Sequence, residues 1–442
     1  MMNSDSLQSA IRRTSVVMVV LFLALTVITG YWQAMRGPAL SVREDNPRLV
    51  LAERNVPRGA ILDRNGHPLA VSQSTADGYA RYYPERAAAP VVGYYSLQHG
   101  LGGAEAAFDD ELRGTVGRTR SEIFVDDLLH RVPVGQSVRL TLDLSAQQAA
   151  DAALGDRAGA VVVLSVPEGE VIALASHPTF DPATLDEDWE RLRTDAASPL
   201  VNRATQGVYQ PGAAFQTIVL AEALLRGATY LTSTVQANTP VQLGSATLNC
   251  ASTPLSNTIA AAYAVGCPAP FVMLADQLDA ASLAVAIQRW QLDTITNGFE
   301  LPVHTSAWSP GMLTTTQAVR ELALGQGALT ISPLQMATVI GTIANNGHSI
   351  MMPHITFAAA PSSQSFSPMS PEVALSLRNA LTMRQDLAGQ VALAASGENR
   401  LAWFLGFAPI HSPQWAIVVL LENGDAAADW QIATSVRTKL AP

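Results

Sequence analysis

Between Thr14 and Met35 the chain carries no charged residue, and that run limits every architecture open to it. Its middle reads Val-Val-Met-Val-Val-Leu-Phe-Leu-Ala-Leu. A helix needs roughly 20 apolar residues to cross the hydrocarbon of a bilayer. Arg12 and Arg13 precede the run, and Tyr31 and Trp32 stand near its far end. Basic residues favour the cytoplasmic side and aromatic rings the interface. The expected arrangement is a cytoplasmic segment over 1–13, a single span over 14–35 and an extracytoplasmic remainder. The apolar core is longer than that of a cleaved leader, and no small-x-small cleavage site follows it.

The 442 residues suffice for such an anchor and about two domains. Hydrophobic residues make up 48% of the chain, enough for a sizeable core. The formal charge is −10 and the only lysine is Lys439, so the cations that neutralise phosphates are scarce and nucleic acid is excluded as a partner. The eight histidines are scattered and the cysteines lack zinc-ligand spacing. There is no phosphate loop or dinucleotide fingerprint, so no cofactor and no metal is expected. Cys250 and Cys267 fall in a compartment where a disulfide persists. The sequence leaves open whether they are bridged or remain two buried thiols behaving as small apolar residues.

Local patterns then give a series of elements. Arg58–Ala70 reads as a short strand and an Asn-Gly hairpin. Phe108–Leu112, closed by Gly114, reads as a short helix. Ser137–Leu144 alternates as a strand, and Ser145–Leu154 favours helix. Gly159–Ser176 holds two apolar runs around Pro167-Glu168-Gly169-Glu170, a buried hairpin. Asp186–Arg193 is a charged helix or loop, and Ala214–Arg226 a long apolar helix suited to a core. Ser332–Ala344 is another helix, with Pro333 in its first turn. Gly37–Asn46 is a juxtamembrane stretch and Ala360–Ser370 a Pro/Ser-rich surface loop. Ala402–Phe407 and Gln414–Leu421 read as strands, and Asp429–Leu440 as a closing helix. Early and late strands would share one mixed sheet, an α+β fold preceded by a smaller β-rich module.

Several segments, in order, resemble class B penicillin-binding proteins. Arg58 to Ala70 is similar to R-G-x-I-x-D-R-N-G-x-x-L-A, and Gly100 to Glu105 to G-x-x-G-x-E. Leu140-Thr141-Leu142-Asp143, the Gly159–Val163 and Ala175–Pro182 stretches, and Asn202-Arg203-Ala204 resemble the approach to that family's nucleophile turn. Gly325-Gln326-Gly327, Ser332–Ala337, Ala344–Gly347 and Trp403–Pro409 resemble its later motifs. The resemblance implies an anchor, a pedestal domain over 36–145 and a transpeptidase-like domain over 146–442.

The three motifs that carry the family's chemistry are altered. Tyr209–Gln216 has the frame of Y-x-P-G-S-x-F-K, with Ala213 in place of the serine and Gln216 in place of the lysine. S-x-N reads Gly266-Cys267-Pro268, and K-T-G falls at Ala395-Ser396-Gly397. Acyl transfer needs a nucleophile and a base that holds its proton. Ala213 has no attacking atom, Gln216 is no base, and Pro268 has neither a side-chain amide nor a backbone N–H. In a serine hydrolase, losing nucleophile or base costs roughly 10⁶ in turnover. Thr217 lies one residue on, turned about 100° around the helix. Ser396 has no basic neighbour in sequence, and His177 and His354 read as structural.

The small residues Ala213, Ala214, Gly266, Ala394 and Ala395 point to a groove filled by apolar side chains. Against that, the N–H groups of the Pro211-Gly212-Ala213 turn offer an anion or carbonyl site for a peptide terminus. The resemblance then implies a catalytically dead, membrane-held protein working with envelope-assembly partners in peptidoglycan synthesis or cell division. The rivals are an active D,D-transpeptidase with another nucleophile, and a binding module for peptidoglycan stem peptides.

Overall fold

The structure is a computed structural model describing residues 4–32, 54–119, 122, 125, 129, 133–292, 298–304, 306–357, 366–397 and 399–440. The Gly37–Asn46 stretch lies outside the described residues, and of Ala360–Ser370 only 366–370 are described. Contacts within the chain separate two units, residues 1–57 with 74–80, and residues 58–73 with 81–442.

Helix α1 (Ser4–Tyr31) dominates the first unit. Its Ile11–Tyr31 portion is long and apolar enough to cross a membrane, and none of it is buried in the protein. Those 21 residues reach about 31 Å at the helical rise. The helix starts well before Thr14, so the expected tail over 1–13 is helical from Ser4. Leu7, Gln8, Ala10, Arg12 and Arg13 are all good helix formers, and no Gly or Pro interrupts them. The end of the expected span, Gln33 to Met35, lies outside the described residues.

The second unit begins with strand β1 (Ile61–Leu62), antiparallel to β2 (Pro68–Thr75), with Ile61 opposite Ala70. Asp63 shapes the turn between them. Its carboxylate accepts from the Asn65 N–H at 2.8 Å and the His67 N–H at 2.7 Å. Burial pushes this carboxyl up, but the bonds from His67, Asn65 and Leu144 outweigh it and hold it below the ordinary range. Strand β3 (Val138–Arg139) runs parallel to β1. The expected strand over Ser137–Leu144 is therefore only two residues long. It stops because Asp143 turns the chain into helix α2 (Leu144–Leu154), accepting from the Ser145 and Ala146 N–H groups at 2.9 and 3.1 Å.

The expected helix near Phe108 is two short helices, Gly103–Ala107 and Asp109–Arg113, broken at Phe108 and ended by left-handed Gly114. Arg58, 5% exposed, fixes this corner. It donates to Glu105 at 3.1 Å and to Asp109 at 2.6 Å. Glu105, wholly buried, also receives Arg81.

The core is a six-stranded sheet. In chain order its strands are β4 (Gly159–Ser165), β5 (Val171–His177), β6 (Thr382–Arg384), β7 (Leu387–Ser396), β8 (Asn399–Ala408) and β9 (Trp415–Glu422), arranged β6-β7-β8-β9-β4-β5. Every contact between neighbours is antiparallel. The first hairpin thus joins the last strands in one sheet, as expected. Alternate residues face opposite layers. Val162, Leu164, Val418 and Leu420 join the core with helix α4 (Pro333–Ala344), while Val161, Val163, Ile417 and Val419 join that of α2 and the closing helix α5 (Ala426–Arg437). Helix α3 (Gln216–Leu225) lies in the first layer with all but its last two residues buried. The closing helix starts at Ala426 rather than Asp429 because Asp425 caps it, accepting from Ala427 and Ala428 N–H at 2.9 and 2.8 Å. The expected helix from Ala214 is a 3₁₀ turn (Gly212–Phe215) leading into α3. Strand β7 was legible only at its far end.

Candidate functional site

Gly212 has φ +53°, and a Cβ there would come within 2.3 Å of the Leu393 carbonyl oxygen and 2.4 Å of the Ala394 Cβ. Only glycine lets this turn approach the sheet so closely. The Gly212 N–H donates to the Gly325 carbonyl at 2.8 Å, and the Ala214 N–H to Pro211 at 3.1 Å. Of the N–H groups in the expected Pro211-Gly212-Ala213 anion site, that of Gly212 is therefore already occupied.

Upstream, Arg203 donates to Glu422 on β9 at 2.9 Å, and the Tyr209 hydroxyl donates to the same oxygen at 2.8 Å. Burial, and next the Glu422 charge, pushes the Tyr209 phenol far above its ordinary value. The Trp403 indole N–H donates to the Gln210 carbonyl at 3.2 Å, and its ring meets Tyr209 edge-on. The segment before the turn is therefore clamped to β8 and β9 by groups that carry no chemistry.

The altered positions converge. Ala213 is 6% exposed, and a Cβ on Gly266 would sit 2.9 Å from the Ala213 Cβ. Gln216 is wholly buried and donates its amide to the Cys267 carbonyl at 3.1 Å. Cys267 is bonded to Cys250 (S–S 2.07 Å), which ties the 241–251 segment to the Gly266–Pro268 turn. The side chain of the strand that meets the nucleophile turn is Ala394, one place before the expected Ala395. Alternation turns the Ala395 side chain away from that turn, while Ala395 still lines the cavity beside it. Ser396 is exposed, opposite Asn399, and Gly397 (φ +60°) opens the tight connection to β8.

Sequence reasoning missed the polar support behind the turn. Gln390 of β7, wholly buried, donates to the Ala213 carbonyl at 3.2 Å and the Tyr263 carbonyl at 2.9 Å. Thr217 shares its hydroxyl with Tyr263 at 3.0 Å and donates to Gln390 Oε1 at 3.2 Å. Burial raises the Tyr263 phenol, only partly offset by Thr217. Thr217 is thus committed to a closed, buried network. One signal was available: a glutamine inside the apolar run Leu387–Ala395 demands a buried partner. Gln326, in its bonding orientation, pairs with the Ala395 backbone, donating at 3.1 Å and accepting at 3.2 Å. It covers the free edge of β7.

The expected filling of the groove is not what the structure shows. A cavity of about 550 Å³ remains open beside Ala213, Gln216, Gly266 and Pro268, walled by residues 245–251 and the end of β7. Small side chains leave volume rather than occupy it. Among the described residues that line it there is no Asp, Glu, His, Lys or Tyr. The hydroxyls of Ser245 and Thr247 line it but have no base beside them in that lining. Neither His177 nor His354 lies there. His177 holds Asp151 at 2.6 Å, and His354 holds the Met352 carbonyl at 3.0 Å.

A family model described as the penicillin-binding protein transpeptidase domain matches residues 159–441. One described as the penicillin-binding protein A dimerisation domain matches 58–138. The peptidoglycan D,D-transpeptidase PbpA of Mycolicibacterium smegmatis is 32% identical over 471 residues, covering 95% of this chain and 94% of its own. The protein of the same name from Mycobacterium tuberculosis is 30% identical over 468 residues, with the same coverage of 95% and 94%. The solved structure of penicillin-binding protein A from M. tuberculosis as its imipenem acyl-enzyme complex has TM-score 0.77 and 28% identity, covering 88% of this chain and 99% of that one. The D,D-transpeptidase domain of a peptidoglycan glycosyltransferase from Eggerthella lenta has TM-score 0.74 and 27% identity, covering 86% and 97%. With the fold, the segment order and both domain matches in agreement, the chain belongs to the class B penicillin-binding proteins.

Proposed function

We propose that this protein is a non-catalytic member of its family, a membrane-anchored pseudoenzyme that acts through contacts in peptidoglycan synthesis or cell division. One observation carries the reading: the position of the attacking serine is Ala213, and no described group lining the groove takes up a proton at neutral pH. Relatives are named as D,D-transpeptidases, so the reading separates this chain from their activity. The proposed organisation is a cytoplasmic start over 1–13, an anchor over 14–35, a pedestal over 36–145 and a transpeptidase-like domain over 146–442. The bulk of the chain lies outside the membrane, where envelope-assembly proteins are its partners.

Full-length protein in detergent, treated with a fluorescent penicillin, should show no covalent label, while an active relative in the same gel is labelled. A label on one residue of this chain would restore the active-transpeptidase reading. A membrane pull-down that recovers no envelope-assembly protein would remove the scaffold role.

The open groove supports a second reading, a binding module for peptidoglycan stem peptides. A floor stripped of reactive side chains still has room for a peptide end. Calorimetry with peptides ending in D-Ala-D-Ala tests it, and absence of heat disposes of it.

A further inference from the structure

A second cavity, of about 180 Å³, lies among residues 89–103, 176–206 and 301–302, and it shares no described lining residue with the groove. Tyr94 and Phe180 supply its aromatic lining, their rings edge-on with centroids 5.8 Å apart. No described lining residue is charged. Two of its polar side chains are spent inside the protein. Ser176 on β5 accepts the Arg203 N–H at 2.9 Å and donates to the Val201 carbonyl at 3.3 Å. Asn202 donates its amide to the Pro90 carbonyl at 2.8 Å and accepts the Ala204 N–H at 3.1 Å. Thr205 differs. It is wholly buried, its N–H goes to the Asn202 carbonyl and its own carbonyl accepts the His304 N–H, yet its hydroxyl has no partner among the described residues.

We propose that this cavity is a binding site for a small uncharged phenol, with the Thr205 hydroxyl as the group that reads the ligand's own hydroxyl. A buried hydroxyl left unpaired is destabilising, and native proteins give nearly all such groups a partner. The volume is roughly six times the share of one water in the liquid, so a single water would satisfy Thr205 and leave most of the space unfilled. An apolar cavity of about 150 Å³ holds one benzene ring, and the further volume here takes a hydroxyl. The ligand is neutral, because no lining charge would compensate one taken out of water. It is aromatic, because the Tyr94 and Phe180 rings favour another ring packed against them. The Thr205 hydroxyl both donates and accepts, so it pairs with a phenol in either sense.

The test titrates 4-fluorophenol and fluorobenzene, followed by fluorine NMR with detergent alone as blank. It uses the full-length protein in detergent, its Thr205→Val variant and its Thr205→Ser variant. Wild type should bind 4-fluorophenol about three- to tenfold more tightly than Thr205→Val does, the worth of one neutral hydrogen bond. Fluorobenzene should bind both alike, and Thr205→Ser should keep most of the advantage for 4-fluorophenol. Without ligand, Thr205→Val should unfold at the same urea concentration as wild type or a higher one, since it removes an unpaired hydroxyl. Equal affinity of wild type and Thr205→Val for 4-fluorophenol, equal loss of both probes in that variant, or binding of neither probe by wild type overturns the proposal. An earlier urea midpoint for Thr205→Val shows that the hydroxyl already has a partner within the protein, and overturns it as well.

Discussion

Two parts of this molecule have been treated differently by the same sequence. Around the Arg58 corner and the approach to the Gly212 turn, buried charges are present and paired: Arg58 with Glu105 and Asp109, and Arg203 with Glu422. At the groove, the positions that would carry charge or reactivity are Ala213, Gln216, Gly266, Pro268 and Ala394. The difference separates residues that hold a fold from residues that run a reaction. A buried ion pair cannot lose one member without leaving the other charge stranded. A catalytic lysine or serine facing a cavity can be replaced by a small or neutral side chain with little structural consequence.

The largest effect expected from this contrast is at Glu105. Glu105→Ala leaves Arg58 and Arg81 without their shared buried partner, and should destabilise the protein by about 3–5 kcal/mol, read as an early transition in urea unfolding. An unchanged midpoint would dissolve the contrast. Gly212→Ala comes next. Its Cβ would strike strand β7 and the backbone would remain left-handed, so a loss of about 3 kcal/mol in chemical denaturation is expected. That outcome shows the turn is retained for packing, independent of any chemistry it carries.

A third experiment asks whether pairing, rather than burial, is what makes a frame charge tolerable. Asp429 on α5 is wholly buried, and neither carboxylate oxygen has a partner among the described residues. Burial, and next Asp425, raises its carboxyl well above the ordinary 3.8, with Arg157 opposing. The folded protein thus keeps this proton where the unfolded chain has released it. The resulting stability is present below the ordinary aspartate value and lost as pH rises towards the folded one. Asp429→Asn should flatten that decline and stabilise the protein at neutral pH by about 1–2 kcal/mol, measured as melting temperature against pH. The smallest effect belongs to the groove. Ala213→Ser should change stability by less than about 1 kcal/mol and gain no penicillin label, because the lining still offers the new hydroxyl no base. Labelling of that variant would show that a base reaches the groove from elsewhere.

The element order was largely legible, because apolar periodicity, Pro333 in a first turn and the closing Gly114 are local signals; the caps at Asp143 and Asp425 emerged only in the structure. Strand β7 was hidden because most of its residues are small and its buried polar member, Gln390, has meaning only beside Ala213 and Tyr263. The disulfide is not legible in the sequence for a similar reason. Two cysteines 17 residues apart reveal nothing of whether their side chains meet, and the fold brings them together.

Sequence alone determined which atoms are missing: an oxygen at 213 and amines at 216 and near 395 are chemical facts of composition. Tertiary structure decided what their absence left behind. The groove stayed open because strand, helix and turn are held apart by their own packing, so deleting side chains on its floor adds space without drawing the walls together.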